Sequence, residues 1–273
     1  MDTTCKLGSV EILLPDASTS YFLIDNDLAE LFKLETNNEA IKLLRKTVRE
    51  KIEPYLYKRI GFDYESSAVI IRTTNAELIL EIAIVINELA NANLSAEEIN
   101  ITKNRLISHK RPRKQKWKVG DIFQIFLEDG SYSFGQVLWK NYTQPVCGLF
   151  DINKNAVPTL EEIINNPFIS ILSLTSNSLD NHSWKVIASM NVRIHKEDVP
   201  EEFNGTPSIG ARSFTSGILE DLANAFYGVS PWNVLADADY FDQILLPTVT
   251  RPPTAKVLAL SERNLYRKGK KWD

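Results

Sequence analysis

Between Lys118 and Leu138 the chain holds two apolar runs joined by Asp129-Gly130, a pattern that specifies a β-hairpin. Ile122, Phe123, Ile125, Phe126 and Leu127 are the aromatic and β-branched types, with one leucine, that a pleated surface favours. Gly130 can take the positive φ that a tight, right-twisting turn needs, and the spacing predicts a primed turn there. Beyond it, Tyr132, Phe134, Val137 and Leu138 resume the apolar pattern. Gly120-Asp121 punctuates the entry to the first strand, and Gly135 marks a bulge or a close backbone approach. A hairpin of this kind opens a small, strongly curved sheet, which binds partners more often than it catalyses.

A chain of 273 residues with 44% apolar content can bury two cores. Its longest apolar stretch, Leu78 to Ile86, is interrupted by Glu81 and is too short to span a membrane. The first residues, Met1 to Lys6, lack the basic and apolar regions of a secretory signal. The two cysteines, Cys5 and Cys147, lie far apart, which points to a reducing, cytoplasmic setting rather than a disulfide framework.

The net charge of −4 is unevenly spread. Residues 1–108 carry 12 basic and 17 acidic side chains, and residues 119–273 carry 13 and 18. Between them, His109 to Lys118 hold six basic groups and no acid. The sequence therefore divides into a domain over 1–108, a basic linker over 109–118 and a β-rich domain over 119–273. The run can be read as a solvated linker containing Pro112, or as a nucleic-acid patch. Two acidic flanks oppose the second reading, because binding a phosphate backbone relies on neutralising several phosphates.

The first domain reads as α+β. Val10–Pro15 and Ser20–Ile24 are short strands around a turn at Pro15-Asp16-Ala17-Ser18, and Asn26 or Asp27 can cap a helix over Leu28, Leu31 and Phe32. Ile41, Leu44, Val48 and Ile52 mark an amphipathic helix from about Asn38. Its polar side, Lys42, Arg45, Lys46, Arg49 and Glu50, reads as a solvated face. Ala68–Arg72 is a strand of the buried type, Asn75 caps a helix running to Glu88, and a short acidic piece follows Ser95. The second domain starts strand-rich, with Val146–Asp151, Phe168–Leu174 and Trp184–Ser189, and ends helix-rich. Thr159 and Glu162 form a capping-box pair, and a helix over Gly217–Tyr227 can end in a left-handed cap at Gly228. The fold class expected is α+β, with the second domain a curved, mostly antiparallel sheet, SH3-like barrel or similar, followed by late helices.

No catalytic set is visible. His109, His182 and His195 lie far apart, and none has a second ligand at metal spacing. No phosphate loop, dinucleotide fingerprint or nucleophile elbow occurs. Cys147 lies in an apolar strand and reads as a buried, inert thiol. The paired carboxylates Glu128-Asp129 and Glu220-Asp221, and the group Asp237, Asp239 and Asp242, read as turn, helix-surface and loop residues respectively.

The segment 226–247 is crowded with aromatics and aspartates and carries four motifs: Tyr227-Gly228, Pro231-Trp232, Tyr240-Phe241-Asp242 and Leu245-Leu246-Pro247. With Gly120-Asp121, Asp129-Gly130 and Phe134-Gly135-Gln136-Val137, they make residues 117–255 resemble the C-terminal module of immunity protein family 26 of bacterial polymorphic-toxin systems. Residues 1–108 carry no such resemblance. The resemblance implies a cytoplasmic inhibitor rather than an enzyme, with no cofactor or metal and no membrane association, that binds a cognate bacterial toxin. Acidic domains suit a basic toxin such as a nuclease, since complementary fields speed association. The partner-binding candidates are Asp237, Asp239, Tyr240 and Asp242, with Tyr132 and Trp232 beside them. Equally, Trp232, Tyr240 and Phe241 can pin the late helix to the sheet. The rival function is a nucleic-acid-binding protein that uses an SH3-like barrel and the basic linker.

Overall fold

In the computed structural model, which describes residues 3–199 and 213–269, the chain divides between Pro112 and Arg113 into two units. Each is built on its own five-stranded antiparallel sheet.

The first unit contains β1 (Thr4–Leu7), β2 (Val10–Leu13), β3 (Phe22–Asn26), α1 (Leu28–Phe32), α2 (Asn37–Lys51), α3 (Pro54–Tyr57), β4 (Gly61–Tyr64), β5 (Val69–Thr73), α4 (Ala76–Leu89) and α5 (Ala96–Ser108). Strand order is β1-β2-β3-β5-β4. The strands alternate, so Cys5, Leu7, Val10, Ile12, Ile24, Val69 and Ile71 point into one core, against the apolar sides of α2 and α4. Asp27 and Asn75 cap as expected, and Thr36 caps α2; each accepts a backbone N–H of the first helical turn. Buried Asn87 clasps the β1–β2 turn, donating to the Leu7 carbonyl and accepting from the Ser9 amide. Gly8 (φ 56°) leaves room for it, since a Cβ there would lie 2.3 Å from Asn87 Oδ1. The acidic piece after Ser95 is a full helix, α5. From it Thr102 and Arg105 donate to the outward carbonyls of Lys6 and Thr4 and so close the β1 edge.

The second unit contains β6 (Asp121–Phe126), β7 (Tyr132–Asn141), β8 (Gln144–Lys154), α6 (Leu160–Ile164), β9 (Phe168–Ser173), α7 (Asn177–Asp180), β10 (Lys185–Ser189), α8 (Gly217–Phe226) and α9 (Leu260–Gly269). Strand order is β10-β6-β7-β8-β9, so the two edge strands do not pair and the sheet stays open. The SH3-like barrel expected from the hairpin is therefore corrected to an open sheet. The physical reason is that both faces are covered. Phe123, Ile125, Val137, Cys147 and Leu149 pack on one face with α8 and Trp232, while Ile122, Phe134, Val146, Phe150 and Ile171 pack on the other with Ile163, Val199 and Leu246. A sheet buried on both sides has no need to close on itself.

The hairpin forms, but not with a primed turn. Leu127 N–H donates to the Ser131 carbonyl and Gly130 N–H to the Leu127 carbonyl, enclosing a three-residue loop. Gly130 has φ 86° while Asp129 is not left-handed, so this is a turn followed by a bulge glycine. Gly135 sits at a register shift, and a Cβ there would lie 2.4 Å from the Phe123 ring and 2.8 Å from the Gly148 carbonyl.

The basic run is anchored rather than loose. On the first unit's side, a His109 ring nitrogen lies 2.6 Å from the Pro15 carbonyl oxygen, and Arg111 donates to the carbonyls of Asp16 and Ala17. On the second unit's side, Gln115 donates to the carbonyls of Leu179 and Trp184 and accepts from the Val186 amide. Asp180, 6% exposed, accepts from Lys114 Nζ (2.6 Å), Trp117 Nε1 (2.9 Å) and Ser176 Oγ (3.0 Å). Burial alone would raise the Asp180 carboxyl, but these donors outweigh it and hold the group below the usual carboxylate range.

Four outcomes are expected. Trypsin should cut the intact protein first within the run, after Lys110 or Arg113, exposed basic residues at the junction of the two units whose side chains make no anchoring contact. Asp180→Ala should lower unfolding stability by about 1–3 kcal/mol, chiefly by leaving the Trp117 N–H without its acceptor while the half-exposed Lys114 returns to water, and should open Lys114 and Lys116 to the protease. Gly130→Val should cost about 1–3 kcal/mol through backbone strain alone, because nothing lies within 4 Å of the added Cβ. Gly269→Val should leave the melting temperature unchanged.

Candidate partner-binding site

The aromatic–aspartate segment begins where α8 ends. Gly228 (φ 71°) donates to the Ala225 carbonyl and Val229 N–H to the Asn224 carbonyl, a Schellman ending that turns the chain back on itself. That turn drives Trp232 into the core at 1% exposure, against Phe226 and Phe241. Its indole N–H then needs an acceptor, and Asp242 provides one at 3.0 Å. The same carboxylate takes a two-pronged contact from Arg251, with Nε at 3.1 Å from Oδ1 and a terminal nitrogen on Oδ2. The guanidinium also lies over the Trp232 ring, 5.4 Å from its centre. Partial burial tends to raise the Asp242 carboxyl, but Arg251 and Trp232 outweigh it and hold the group below its ordinary range.

The sequence candidates thus fall into two groups. Trp232 and Asp242 are structural: one is buried, the other ties it to Arg251, so Trp232 offers a partner no surface. Asp237 is exposed but accepts from the Asp239 backbone N–H (3.0 Å) and from Gln243 Nε2, which fixes the local turn. Asp239 projects furthest, with a side chain 76% exposed and a single contact to Arg251 at 3.4 Å. Tyr240 is half-buried, edge-on to Phe241. Asp237, Asp239 and Tyr240 therefore share one turn. Tyr132 is placed apart from them, at the hairpin, beside the exposed Phe126 with ring centres 5.4 Å apart. Arg251 was not a sequence candidate. Its signal is faint: a lone cation in a proline-rich coda, nine residues past the carboxylate it holds.

Several other motif residues are turned inward as well. Asp121 accepts from the Lys118 amide, and Gln136 donates to the Asn191 carbonyl while accepting from the Arg193 amide. Tyr227 reaches the Phe150 carbonyl, and Leu246 N–H donates to the Ile169 carbonyl. Burial pushes the Cys147 thiol far up, as befits an inert core residue. Among the described residues no group of three or more His, Cys, Asp and Glu side chains is placed to hold a metal ion. A cleft lined by Glu128, Asp221, Asn224 and Tyr266 measures about 40 Å³, room for water but far below the size of a substrate pocket.

Asp242→Asn should destabilise the protein by about 1–2 kcal/mol at neutral pH, the lower part of the charged hydrogen-bond range because the pair is one-third exposed. The folded-state value is depressed, so the wild-type advantage is full above the ordinary carboxylate pKa of about 4 and fades as pH falls through the lower folded value. Denaturant melts of both proteins across that window check it; a gap that stays constant into strong acid would remove the carboxylate from the account.

Residues 118–207 match the family model described as Immunity protein 26. No curated protein and no solved structure matches the chain. The matched stretch takes in the hairpin and all five strands of the second sheet, and ends before α8. Over those residues the chain carries the sequence pattern of the Immunity protein 26 family.

Proposed function

We propose that this protein is an immunity protein that binds a cognate bacterial toxin and blocks it without turnover. The observation that carries this reading is the match of residues 118–207 to Immunity protein 26. The geometry is in keeping with it: the motif residues hold the sheet and its cover together, leaving recognition to the surface around them. The turn bearing Asp237, Asp239 and Tyr240 is our first choice for contact, with a half-buried aromatic beside exposed acid, a composition suited to a basic toxin such as a nuclease. Tyr132 and Phe126 at the hairpin form a second, weaker candidate.

The rival reading, with the basic run as a foot for nucleic acid, is weakened by two contacts. Lys114 is committed to Asp180, and Lys140 lies 4.3 Å over the Trp117 ring. Neither points to an open electrostatic stripe.

The test is protection of cells that express a candidate toxin taken from the genes that flank this protein's own, with a melting curve for every variant. Asp239→Lys combined with Asp237→Asn should slow association and reduce protection at least about tenfold, as rim charges act mainly on the on-rate. The asparagine keeps an acceptor for the Asp239 amide, so the turn should survive. Lys116→Ala with Lys118→Ala should protect like wild type. Full protection by a folded aspartate variant would move the interface elsewhere, and loss confined to the lysine variant would favour nucleic acid.

A further inference from the structure

The charge of the first unit is segregated along the chain. Residues 42–59 carry seven basic and two acidic side chains, whereas the rest of 1–108 carries five basic and fifteen acidic ones. The fold gathers four of these cations on one face. Lys42, Arg45, Lys46 and Arg49 follow the three- and four-residue spacing of a single stripe on α2. Aromatic rings from α3 and β4 lie against that stripe. The Arg49 guanidinium sits 5.0 Å from the centre of Tyr57, and Arg45 sits 5.4 Å from Phe62 while donating to its carbonyl at 3.0 Å. The two rings are themselves 5.9 Å apart. Tyr55 and Tyr64 flank them at 60% and 45% exposure. Phe62 and Tyr64 project to the same side of the sheet as α2, because they pair with the inward-facing Ile71 and Val69. The acids nearby are Glu39, three residues before Lys42 on α2, with Glu50, Glu53, Asp63 and Glu65, five against the six cations of the stripe taken with Lys58 and Arg59. Lys51 is set aside by its ion pair with Glu88.

A solvated helix face would account for the lysines alone. The guanidiniums laid on Tyr57 and Phe62 cap rings that pack on the unit's core, but neither that packing nor a solvated face accounts for Tyr55 of α3 and Tyr64 of the edge strand β4, left open beside them. Carboxylates of an acidic peptide would use the cations but have no call on flat aromatic surface. Nucleic-acid bases do: they stack on rings and guanidinium planes while the phosphates meet the lysines. Duplex is disfavoured, since its bases are already stacked and no helix here stands clear to enter a groove. We propose that this α2–α3–β4 face of the first unit binds single-stranded nucleic acid. The proposal concerns residues outside the Immunity protein 26 match and stands apart from the toxin-binding reading.

The experiment is fluorescence anisotropy of the full-length protein with a labelled short oligouridylate across a salt series, each variant checked by its melting temperature. Wild type should bind, with log affinity falling as log salt rises. Lys42→Glu with Lys46→Glu should weaken binding at least about tenfold and flatten the salt slope by about 1.4, or 0.7 per lost phosphate contact. Tyr55→Ala with Tyr64→Ala should weaken it by about fivefold or more at every salt concentration, because stacking is not screened. A polyglutamate peptide of equal length should compete poorly. Absence of wild-type binding, or reversal of Lys42 and Lys46 without effect, would overturn the proposal. So would loss of binding only in Lys116→Glu with Lys118→Glu, which would place the site in the second unit. Unchanged binding by the tyrosine variant, with polyglutamate competing as well as the oligonucleotide, would assign the face to acidic protein segments instead.

Discussion

Five strands that set Phe123, Ile125 and Leu149 on one side and Phe134, Phe150 and Ile171 on the other cannot leave either side to water. At roughly 25 cal/mol per Å² of apolar surface, each exposed face would forfeit many kcal/mol. This constraint orders the rest of the second unit. α8 lies against the first face through Leu219, Leu222 and Phe226, and Trp232, Phe241 and Leu245 extend its cover. The short α6, the turn after β10 and Leu246 close the second face. The late aromatic segment is thus primarily a lid for a sheet that would otherwise be half naked.

Covering a sheet with irregular chain brings a second problem, because loops carry backbone amides and carbonyls that must find partners once buried. The polar residues of the motifs solve it one by one. Gln136 takes up the chain at 191–193, Ser170 donates to the Ile244 carbonyl at 2.6 Å, and Asn233 both donates to and accepts from Leu258. Asp180 plays the same part for the incoming strand of chain at 114–117. These contacts fix the paths of loops that have little regular structure of their own.

What is legible in the sequence divides along the range of the interactions. Asn75 as a cap, the Thr159–Glu162 box and the left-handed Gly228 each act within a few residues, and each appears where the local pattern places it. The strands of the second sheet are equally legible as apolar runs. Their closure is not, because a strand buried on both faces looks the same in an open sheet as in a barrel. Thr4–Leu7 and Gly61–Tyr64 are too short to announce themselves and become strands only because β2 and β5 present edges to them. α5 hides because only Thr102 and Leu106 are buried along it, and α9 because it buries nothing. At the candidate site the carboxylates are visible, but which of them are committed inward is not. Asp242 and Asp239 look alike in sequence; Trp232 and Arg251 separate them.

That separation bears on how such a surface could bind. A loop contact is costly when the loop must be ordered on association, by something like 0.5–1.5 kcal/mol for each immobilised side chain. Here the Trp232–Asp242–Arg251 arrangement already fixes the segment, and Asp237 fixes the turn in front of it. Asp239 and Tyr240 are therefore presented by a framework whose energy is settled within the fold. In the proposed contact the exposed carboxylate would act on encounter rate and the half-buried ring on the lifetime of a complex, and each can change without disturbing the buried contacts beneath. Such a division allows one scaffold to carry different exposed residues on the same buried framework.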